Sequence, residues 1–375
     1  MRKVKKKNDF KKIIKEKLPA EIDFIYILAG FVFVVAIGLL VWLGGGYLWN
    51  KYFAVETDHE LSVQDEAGEY QDCEFKRLLD GICVDSEEKT NPKLIAIMIE
   101  NHTEARPQSG LVDASIVYEV PVEANYTRFL AIYPADVEVD KIGPVRSARP
   151  YYLDWLSEYG DAMYMHCGGS PDALNLINQY DLFDLNEFYN GWYYWRSTDR
   201  SAPHNVYTSS ELWGGALIKY NDQRSTINEQ VEWWSFNTTV EQQSNTSTLA
   251  NEIIISFLPP VYEAIWEFNS STGKYDRYQM EGTHRDQDGR KIKADTIIVQ
   301  HVESQVLDNI GRIAIDTIGE GDVEIFYDGL VFTGIWKKED RIARTRFYDL
   351  SGEEIRLKPG KIWVEVVNGR GDVSY

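Results

Sequence analysis

The densest group of polar side chains in the sequence contains four arginines and two glutamates. Its members are Arg106, Glu119, Glu123, Arg128, Arg146 and Arg149. The guanidinium group of arginine presents a planar fork of N–H donors that suits a carboxylate or a phosphate. Two neighbouring carboxylates could also act as a general acid and a general base. The group therefore indicates anion binding, or catalysis beside a bound anion.

The spacing of the two glutamates predicts that they share a surface. Glu119 and Glu123 lie an even number of residues apart on a predicted strand. Since side chains alternate between the faces of a strand, both carboxylates are expected on one face. Two interpretations remain open: the carboxylates could help to form a ligand site, or they could neutralise Arg128 and Arg149 in a structural network of ion pairs.

Three further residues are candidates for the same ligand site. The Gly143-Pro144 turn is predicted to open a helix whose first N–H groups, near Ser147, could hold an anion. His204 and Asn205 follow Pro203 and could line the same cleft, although a loop packed on the domain fits equally well.

Known catalytic signatures are missing from the sequence. His166 and Cys167 are adjacent and could suggest a nucleophilic thiol, but neighbouring strand residues point to opposite faces. The Gly-x-Ser-x-Gly, Walker and His-Glu-x-x-His motifs do not occur. No Cys or His pair has metal-ligand spacing, so neither a metal nor a cofactor is expected. The sequence favours a non-enzymatic protein.

The N-terminal region predicts a membrane anchor. Nine Lys or Arg lie within residues 1–23, and residues 24–50 carry no charge. About 20 apolar residues span a bilayer as a helix, and basic residues stay on the cytoplasmic side. We expect a transmembrane helix over 24–49, although a cleaved signal peptide and a buried helix are alternatives. The first cysteine, Cys73, lies too far beyond this run for a lipid anchor.

Charge and cysteine content limit the partners and the compartment. Beyond residue 23 there are 30 basic and 55 acidic residues, so this region should repel nucleic acid. The expected partners are the membrane, cell-wall material or an envelope protein. Cys73 and Cys83 could form a disulfide in an oxidising compartment or remain reduced.

Composition divides the chain into five segments. These are a cytoplasmic basic segment (1–23), the membrane helix (24–49), an acidic stalk (50–90), an N-terminal α/β ligand-binding-like domain (91–240) and a C-terminal β-rich domain (248–375). The predicted fold class is α+β, with a domain boundary at the polar run Glu241–Ser247. Apolar alternation predicts strands that include Leu94–Glu100, Ile116–Val122, Thr296–Val302 and Lys361–Val367, and helices at Ala148–Tyr159 and Asp172–Leu182.

Several motifs resemble the YerB-like bacterial envelope family, whose function is not known. The motifs are Arg106–Gly110, Ile142–Pro150, Gly168–Pro171, Ala202–Thr208, Tyr275–Arg277 and Gly360–Glu365. The resemblance covers roughly residues 90–370 and implies a two-domain bacterial protein that is secreted or anchored to the membrane. Many members resemble lipoproteins, and the predicted membrane helix departs from that pattern. The family supplies no catalytic residues.

The sequence therefore predicts a membrane-anchored extracytoplasmic envelope protein that binds an anionic or wall-derived ligand, or a partner protein, through the Arg/Glu group. The alternative is a cell-wall hydrolase or transferase in which Glu119 or Glu123 is the acid/base and Arg146 and Arg149 hold an anionic group.

Overall fold

The computed structural model describes residues 73–220, 231–237, 248–280 and 282–375. The basic segment, the predicted transmembrane helix at 24–49, most of the predicted stalk and the linker run 241–247 lie outside these residues. Within the described ranges, no helix is both long enough and apolar enough to cross a membrane.

The strands are numbered in chain order. The N-terminal part contains β1 (Phe75–Lys76), β2 (Cys83–Val84), β3 (Leu94–Glu100), β4 (Ile116–Pro121), β5 (Thr127–Pro134), β6 (Met163–His166), β7 (Asp184–Asn186), β8 (Trp195–Arg196) and β9 (Val206–Tyr207). The C-terminal part contains β10 (Thr248–Leu249), β11 (Glu252–Leu258), β12 (Tyr262–Asn269), β13 (Lys274–Gln279), β14 (Gly282–Thr283), β15 (Lys293–Ala294), β16 (Thr296–Val302), β17 (Ser304–Val306), β18 (Ile313–Ile315), β19 (Gly319–Tyr327), β20 (Leu330–Lys338), β21 (Arg346–Asp349), β22 (Ile362–Asn368) and β23 (Val373–Ser374).

The α-helices belong to the N-terminal part. They are α1 (Tyr152–Ser157), α2 (Pro171–Gln179), α3 (Glu187–Asn190) and α4 (Ser210–Tyr220). Short 3-10 turns occur at Glu87–Thr90, Thr103–Ala105, Glu123–Asn125, Gly191–Tyr193 and Arg370–Asp372. After residue 248 the described chain forms strands and one 3-10 turn but no α-helix. The mixed α/β character of the first part and the β-rich character of the second agree with the predicted class.

One large sheet organises the described molecule. Its strand order is β10-β20-β19-β16-β22-β4-β5-β3-β6-β7, and β21 adds to β20. The strands β20, β16, β22, β4, β3, β6 and β7 run in the same direction, while β10, β21, β19 and β5 run against them. The carboxyl ends of seven strands therefore meet at one edge, which we call the carboxyl edge.

Both faces of the large sheet are buried, which explains why its central strands are almost wholly apolar. Alternate residues of β3 face opposite sides, so Ile97 and Met98 belong to different core clusters. On one side the core includes Trp266 of a second sheet, ordered β14-β13-β12-β11-β23 with β15 on β13. On the other side it includes Trp155 of α1 and Ile177 of α2.

The large sheet takes strands from both sides of the predicted linker. Strand β22 pairs in parallel with β4, so that Glu365 lies opposite Glu119, and on its other side β22 pairs with β16. The polar run Glu241–Ser247 is predicted to be a domain boundary, and the large sheet contains strands from both sides of that run. Apolar runs show that strands exist, but they do not show which strands become neighbours.

The segment 73–90 is folded, whereas the sequence analysis assigned it to the stalk. Cys73 and Cys83 form a disulfide beside the β1–β2 hairpin. Leu79 is 1% exposed and joins the core cluster on the α1 side, and the backbone N–H of Gly360 donates to Asp80 at 2.8 Å. The hairpin therefore packs against the C-terminal part, and its acidic composition reflects an exposed outer surface.

Candidate functional site

The carboxyl edge is widened at the point where strands β3 and β6 separate. The extended segment 145–148 fits between their ends. The Arg146 N–H donates to Met98 at 2.8 Å, and the Cys167 N–H donates to the Arg146 carbonyl at 3.0 Å. In open α/β sheets, ligands bind outside the carboxyl ends of the strands, where neighbouring strands diverge. The side chains of segment 145–148 therefore lie next to the place where ligands usually bind in such sheets.

Gly143 allows this segment to pass close to its neighbours. Its φ of +143° lies in the region that L-residues rarely adopt, and a Cβ there would lie 2.8 Å from the Val206 carbonyl. Glycine is therefore required for the close approach. On the far side of Pro144, the Val145 N–H donates to that same Val206 carbonyl at 2.7 Å. The predicted turn exists, but it opens an extended segment, and α1 begins only at Tyr152.

Three arginines meet at this segment, and we call Arg128, Arg146 and Arg149 the arginine cluster. Arg128 Nη1 donates to the Ser147 carbonyl at 2.6 Å, and Arg149 Nη1 donates to the Ala148 carbonyl at 2.8 Å. Two guanidinium groups thus contact consecutive carbonyls of one loop. The third, Arg146, extends from the same loop toward Glu100.

Two carboxylates neutralise part of the arginine cluster. Glu123 accepts from Arg149 Nε at 2.5 Å and from Nη2 at 3.0 Å, which is a bidentate pair. Glu100, the last residue of β3, accepts from Arg146 Nε at 2.8 Å and lies 2.9 Å from His204 Nδ1. Burial alone would raise the pKa of Glu123, but the hydrogen bonds and charge of Arg149 outweigh it and lower that pKa.

Arg128 is the most deeply buried member of the cluster. It is 7% exposed, and its Nε is buried with no hydrogen-bond partner among the described residues. No carboxylate in the described part of the chain lies within ion-pair distance of it. Burial, followed by the charge of Arg149, lowers the pKa of the Arg128 guanidinium. Among the described residues, three guanidinium groups therefore share two carboxylate partners, Glu100 and Glu123.

The other predicted residues near the cluster have definite partners. Ser147 Oγ donates to the Cys167 carbonyl at 2.9 Å. His204 reaches the cluster through Glu100. Asn205 accepts from Arg196 Nη1 at 3.1 Å and donates to the Ser197 carbonyl at 3.2 Å. These hydrogen bonds connect the two sides of the β8–β9 hairpin.

Glu119 and Arg106 lie apart from the arginine cluster. Glu119 faces the second sheet, is 1% exposed and accepts from Asn101, Thr127 and Arg277. Arg106 Nη1 donates to the Val261 carbonyl at 3.0 Å, and its guanidinium lies over the Tyr262 ring. The expectation that Glu119 and Glu123 share a strand face was wrong, because β4 ends at Pro121 and Glu123 begins a 3-10 turn.

Glu119 belongs to a buried polar network between the two sheets. Arg277 is fully buried, donates to Glu119 at 2.5 Å and to Gln279 at 2.9 Å, and lies 2.7 Å from His284 Nδ1. Glu365 accepts from Trp266 Nε1 at 2.8 Å. Sequence reasoning did not place Arg277 and Glu365 in a site, because their partners are distant in sequence.

Cys167 is a poor nucleophile in this environment. It is 8% exposed, and its thiol lies 3.5 Å from a carboxylate oxygen of Glu187. Burial and that carboxylate raise the thiol pKa to about 11. A nucleophilic cysteine requires the thiolate form, which a basic rather than an acidic neighbour would favour. The neighbouring His166 bonds to Asp184 at 2.7 Å instead of to the thiol.

A separate cleft of about 650 Å³ lies beyond the ends of β16 and β22. Its lining includes His301, Glu303, Asp316, Glu320 and Asp322. Four carboxylates give this cleft a negative character that does not suit an anion. The positive charge and burial of the arginine cluster make the cluster the better candidate for an anion site.

Comparisons with known proteins agree with the fold. Residues 79–225 match "Protein of unknown function (DUF3048) N-terminal domain", and residues 253–364 match the corresponding C-terminal domain. "Putative lipoprotein YerB" of Bacillus subtilis (strain 168) is 29% identical over 288 residues, which cover 74% of this chain and 82% of that protein. The crystal structure of YerB protein from Bacillus subtilis has a TM-score of 0.70 at 25% identity, and the match covers 80% of this chain and 99% of that one.

Proposed function

This chain belongs to the DUF3048 family, as its resemblance to YerB-like proteins predicted, and on that premise we propose that it is a membrane-anchored extracytoplasmic protein that binds an anionic ligand through the arginine cluster. The ligand group is a phosphate or a carboxylate, since both match the geometry of guanidinium donors. Wall-derived material and an acidic segment of an envelope protein both carry such groups.

The observation that carries this proposal is the state of Arg128. Its side chain is buried, and its Nε lacks a partner among the described residues. Arg149 and Arg146 are nearby cations, and the nearby carboxylates Glu100 and Glu123 pair with those two arginines instead of with Arg128. A buried cation without a direct ion-pair partner is unfavourable. A bound anion would supply that partner, and Arg146, whose side chain is 25% exposed, could approach the same anion from the solvent side.

Three observations support the extracytoplasmic location. The Cys73–Cys83 disulfide is typical of an oxidising compartment. The relative from Bacillus subtilis is named a putative lipoprotein, which would place that protein at the outer face of a membrane. In this chain the basic residues before the uncharged run 24–50 favour a helical anchor with the cytoplasmic end first.

The acid/base alternative has less support from the geometry. Glu119 is buried and held by Arg277, so a substrate would have to open the core to reach it. Glu123 is exposed to solvent in part, but its pKa is lowered in the pair with Arg149. A general acid that works near neutral pH needs a raised pKa.

Calorimetric titration of the full-length protein in detergent tests the proposal, with inorganic phosphate and acetate as the probes. We expect saturable binding of at least one of them. Arg146→Gln should weaken it at least tenfold, since one charge-assisted hydrogen bond contributes about 1.5–3 kcal/mol. Arg346→Gln is the matched control, because Arg346 on β21 is a partly exposed arginine paired with Glu354, at the opposite end of the large sheet from β3 and β6.

Two results would overturn the proposal. One is the absence of saturable binding of both probes at low ionic strength. The other is equal weakening by Arg146→Gln and Arg346→Gln, which would show that only the overall charge matters. A preference for phosphate or for acetate identifies the ligand group.

A further inference from the structure

Two histidines and a glutamate converge beside the arginine cluster, on segments that are distant in sequence. His102 caps the 3-10 turn Thr103–Ala105, Glu104 lies within that turn, and His204 follows Pro203 in another loop. Each offers one ligand atom, and these atoms lie within 4.8 Å of one another. The imidazole rings of His102 and His204 stack with centroids 4.9 Å apart. We call these three residues the His-Glu triad.

We propose that the His-Glu triad binds a divalent transition-metal ion of the Zn²⁺ class. Two imidazole nitrogens and one carboxylate oxygen form a donor set that zinc accepts, with a fourth position left for water or a ligand. In a tetrahedral zinc site, ligand atoms are separated by roughly 3.3 Å. His204 Nε2 and Glu104 Oε2 already lie 3.0 Å apart, so small side-chain rotations would complete the site.

Glu100 prepares one ligand for this role. Its carboxylate lies 2.9 Å from His204 Nδ1 and is 5% exposed. A carboxylate that accepts a hydrogen bond from the Nδ1–H group fixes the orientation of the imidazole ring. It leaves Nε2 free to bind a metal. Nε2 is the atom that faces Glu104. Glu100 is therefore a positioning residue for the metal site.

The remaining two ligands are accessible. The His102 side chain is 34% exposed and that of Glu104 is 71% exposed, so a hydrated ion can enter without opening the fold. His102 Nδ1 accepts from the Glu104 backbone N–H at 3.3 Å, a long cap bond that metal coordination can replace. Local Cys and His spacing predicted no metal site, but 100 positions separate Glu104 from His204 in the sequence.

Titration of the full-length, chelator-treated protein with Zn²⁺ tests this proposal, with Co²⁺ absorption as a report on coordination. We expect one equivalent to bind and Co²⁺ to give the visible bands of a tetrahedral site. His102→Ala and Glu104→Gln should each weaken Zn²⁺ binding at least tenfold, since even an outer-shell partner is worth 10–100-fold in metal affinity. The matched control His59→Ala removes a histidine outside the triad.

Equal binding by wild type, His102→Ala and Glu104→Gln would overturn the proposal, as would failure of the wild type to bind Zn²⁺. The inference goes beyond the anion site and is tested separately. Arg149→Gln should leave Zn²⁺ affinity within a fewfold of wild type, because Arg149 pairs with Glu123 and contributes no ligand to the triad. Loss of Zn²⁺ binding in Arg149→Gln, together with retention in both ligand variants, would also contradict it.

Discussion

Glu119 of β4 and Glu365 of β22 lie directly opposite each other on adjacent parallel strands, in the interior of the protein. Arg277 forms an ion pair with Glu119 at 2.5 Å, and Trp266 donates to Glu365 at 2.8 Å. Burial, and then the charge of Glu119, raise the pKa of Glu365 well above its usual range. Glu365 is therefore expected to be protonated beside the charged Glu119, although the two residues belong to different parts of the chain.

The first prediction concerns Glu365→Gln and pH. Glu365 has a raised pKa when folded, so the native state keeps a proton that the unfolded chain has lost above about pH 4.3. The wild-type free energy of unfolding should therefore fall as pH rises from this value toward the folded pKa. Glu365→Gln removes that fall, so the variant should gain stability relative to wild type between pH 5 and pH 8. Urea unfolding at both pH values measures the difference.

Glu119→Gln is the matched comparison, because it removes the charge that Arg277 requires. The Glu119→Gln variant should lose about 3–5 kcal/mol of its free energy of unfolding at both pH 5 and pH 8. This is the usual effect of leaving one member of a buried ion pair without its partner. Equal pH slopes for wild type and Glu365→Gln would show that Glu365 does not hold the proton.

The second prediction separates the buried network from the arginine cluster. Arg277→Met leaves Glu119 buried without its ion-pair partner and should cost about 3–5 kcal/mol of stability. Arg146→Ala should cost only about 1 kcal/mol or less, because that side chain is a quarter exposed and Glu100 keeps His204 as a partner. Chemical denaturation compares the two variants. A loss from Arg146→Ala as large as that from Arg277→Met would assign the cluster a structural role.

The third prediction concerns the disulfide. The Cys73–Cys83 bond closes a loop with a sequence separation of 10. Closing such a loop in the unfolded chain stabilises the folded state by about 2–3 kcal/mol. The double variant Cys73→Ser/Cys83→Ser should therefore lose up to that amount of its free energy of unfolding. Reducing agent should destabilise wild type and leave the double variant unchanged. Sensitivity of the double variant to reductant would point instead to Cys167.

The fourth prediction concerns membrane topology, which rests on sequence alone because residues 1–72 lie outside the described structure. The nine basic residues before the uncharged run favour a cytoplasmic N-terminus. Protease added to intact spheroplasts should therefore digest the region beyond residue 51. Full protection of that region, with digestion after lysis, would contradict the proposed location.

Local patterns predicted the elements well. Strand β3 occupies the predicted range Leu94–Glu100, and the predicted Thr296–Val302 is β16. Both are apolar runs bounded by polar residues, so a short-range signal is sufficient. The order of strands was not predictable in this way, since the pairing of β22 with β4 joins residues more than 240 positions apart.

The candidate site was predictable only in part, for the same physical reason. Arg128, Arg146 and Arg149 meet because segment 145–148 bonds to the ends of β3 and β6, which the sequence pattern does not encode. The period-two argument for Glu123 failed at a turn in which Ala124 and Asn125 both adopt φ of 59°. Arg277 and His204 reach their partners across gaps of 158 and 104 residues.

A crystal of the full-length protein soaked in tungstate, a phosphate-shaped oxyanion with strong anomalous scattering, tests the central claim most directly. The account predicts an anomalous peak within hydrogen-bond distance of Arg128 Nε and the Arg146 guanidinium, and loss of that peak in Arg146→Gln. An arginine cluster without a peak, while tungstate occupies other sites on the same molecule, would contradict the assignment of this cluster as an anion site.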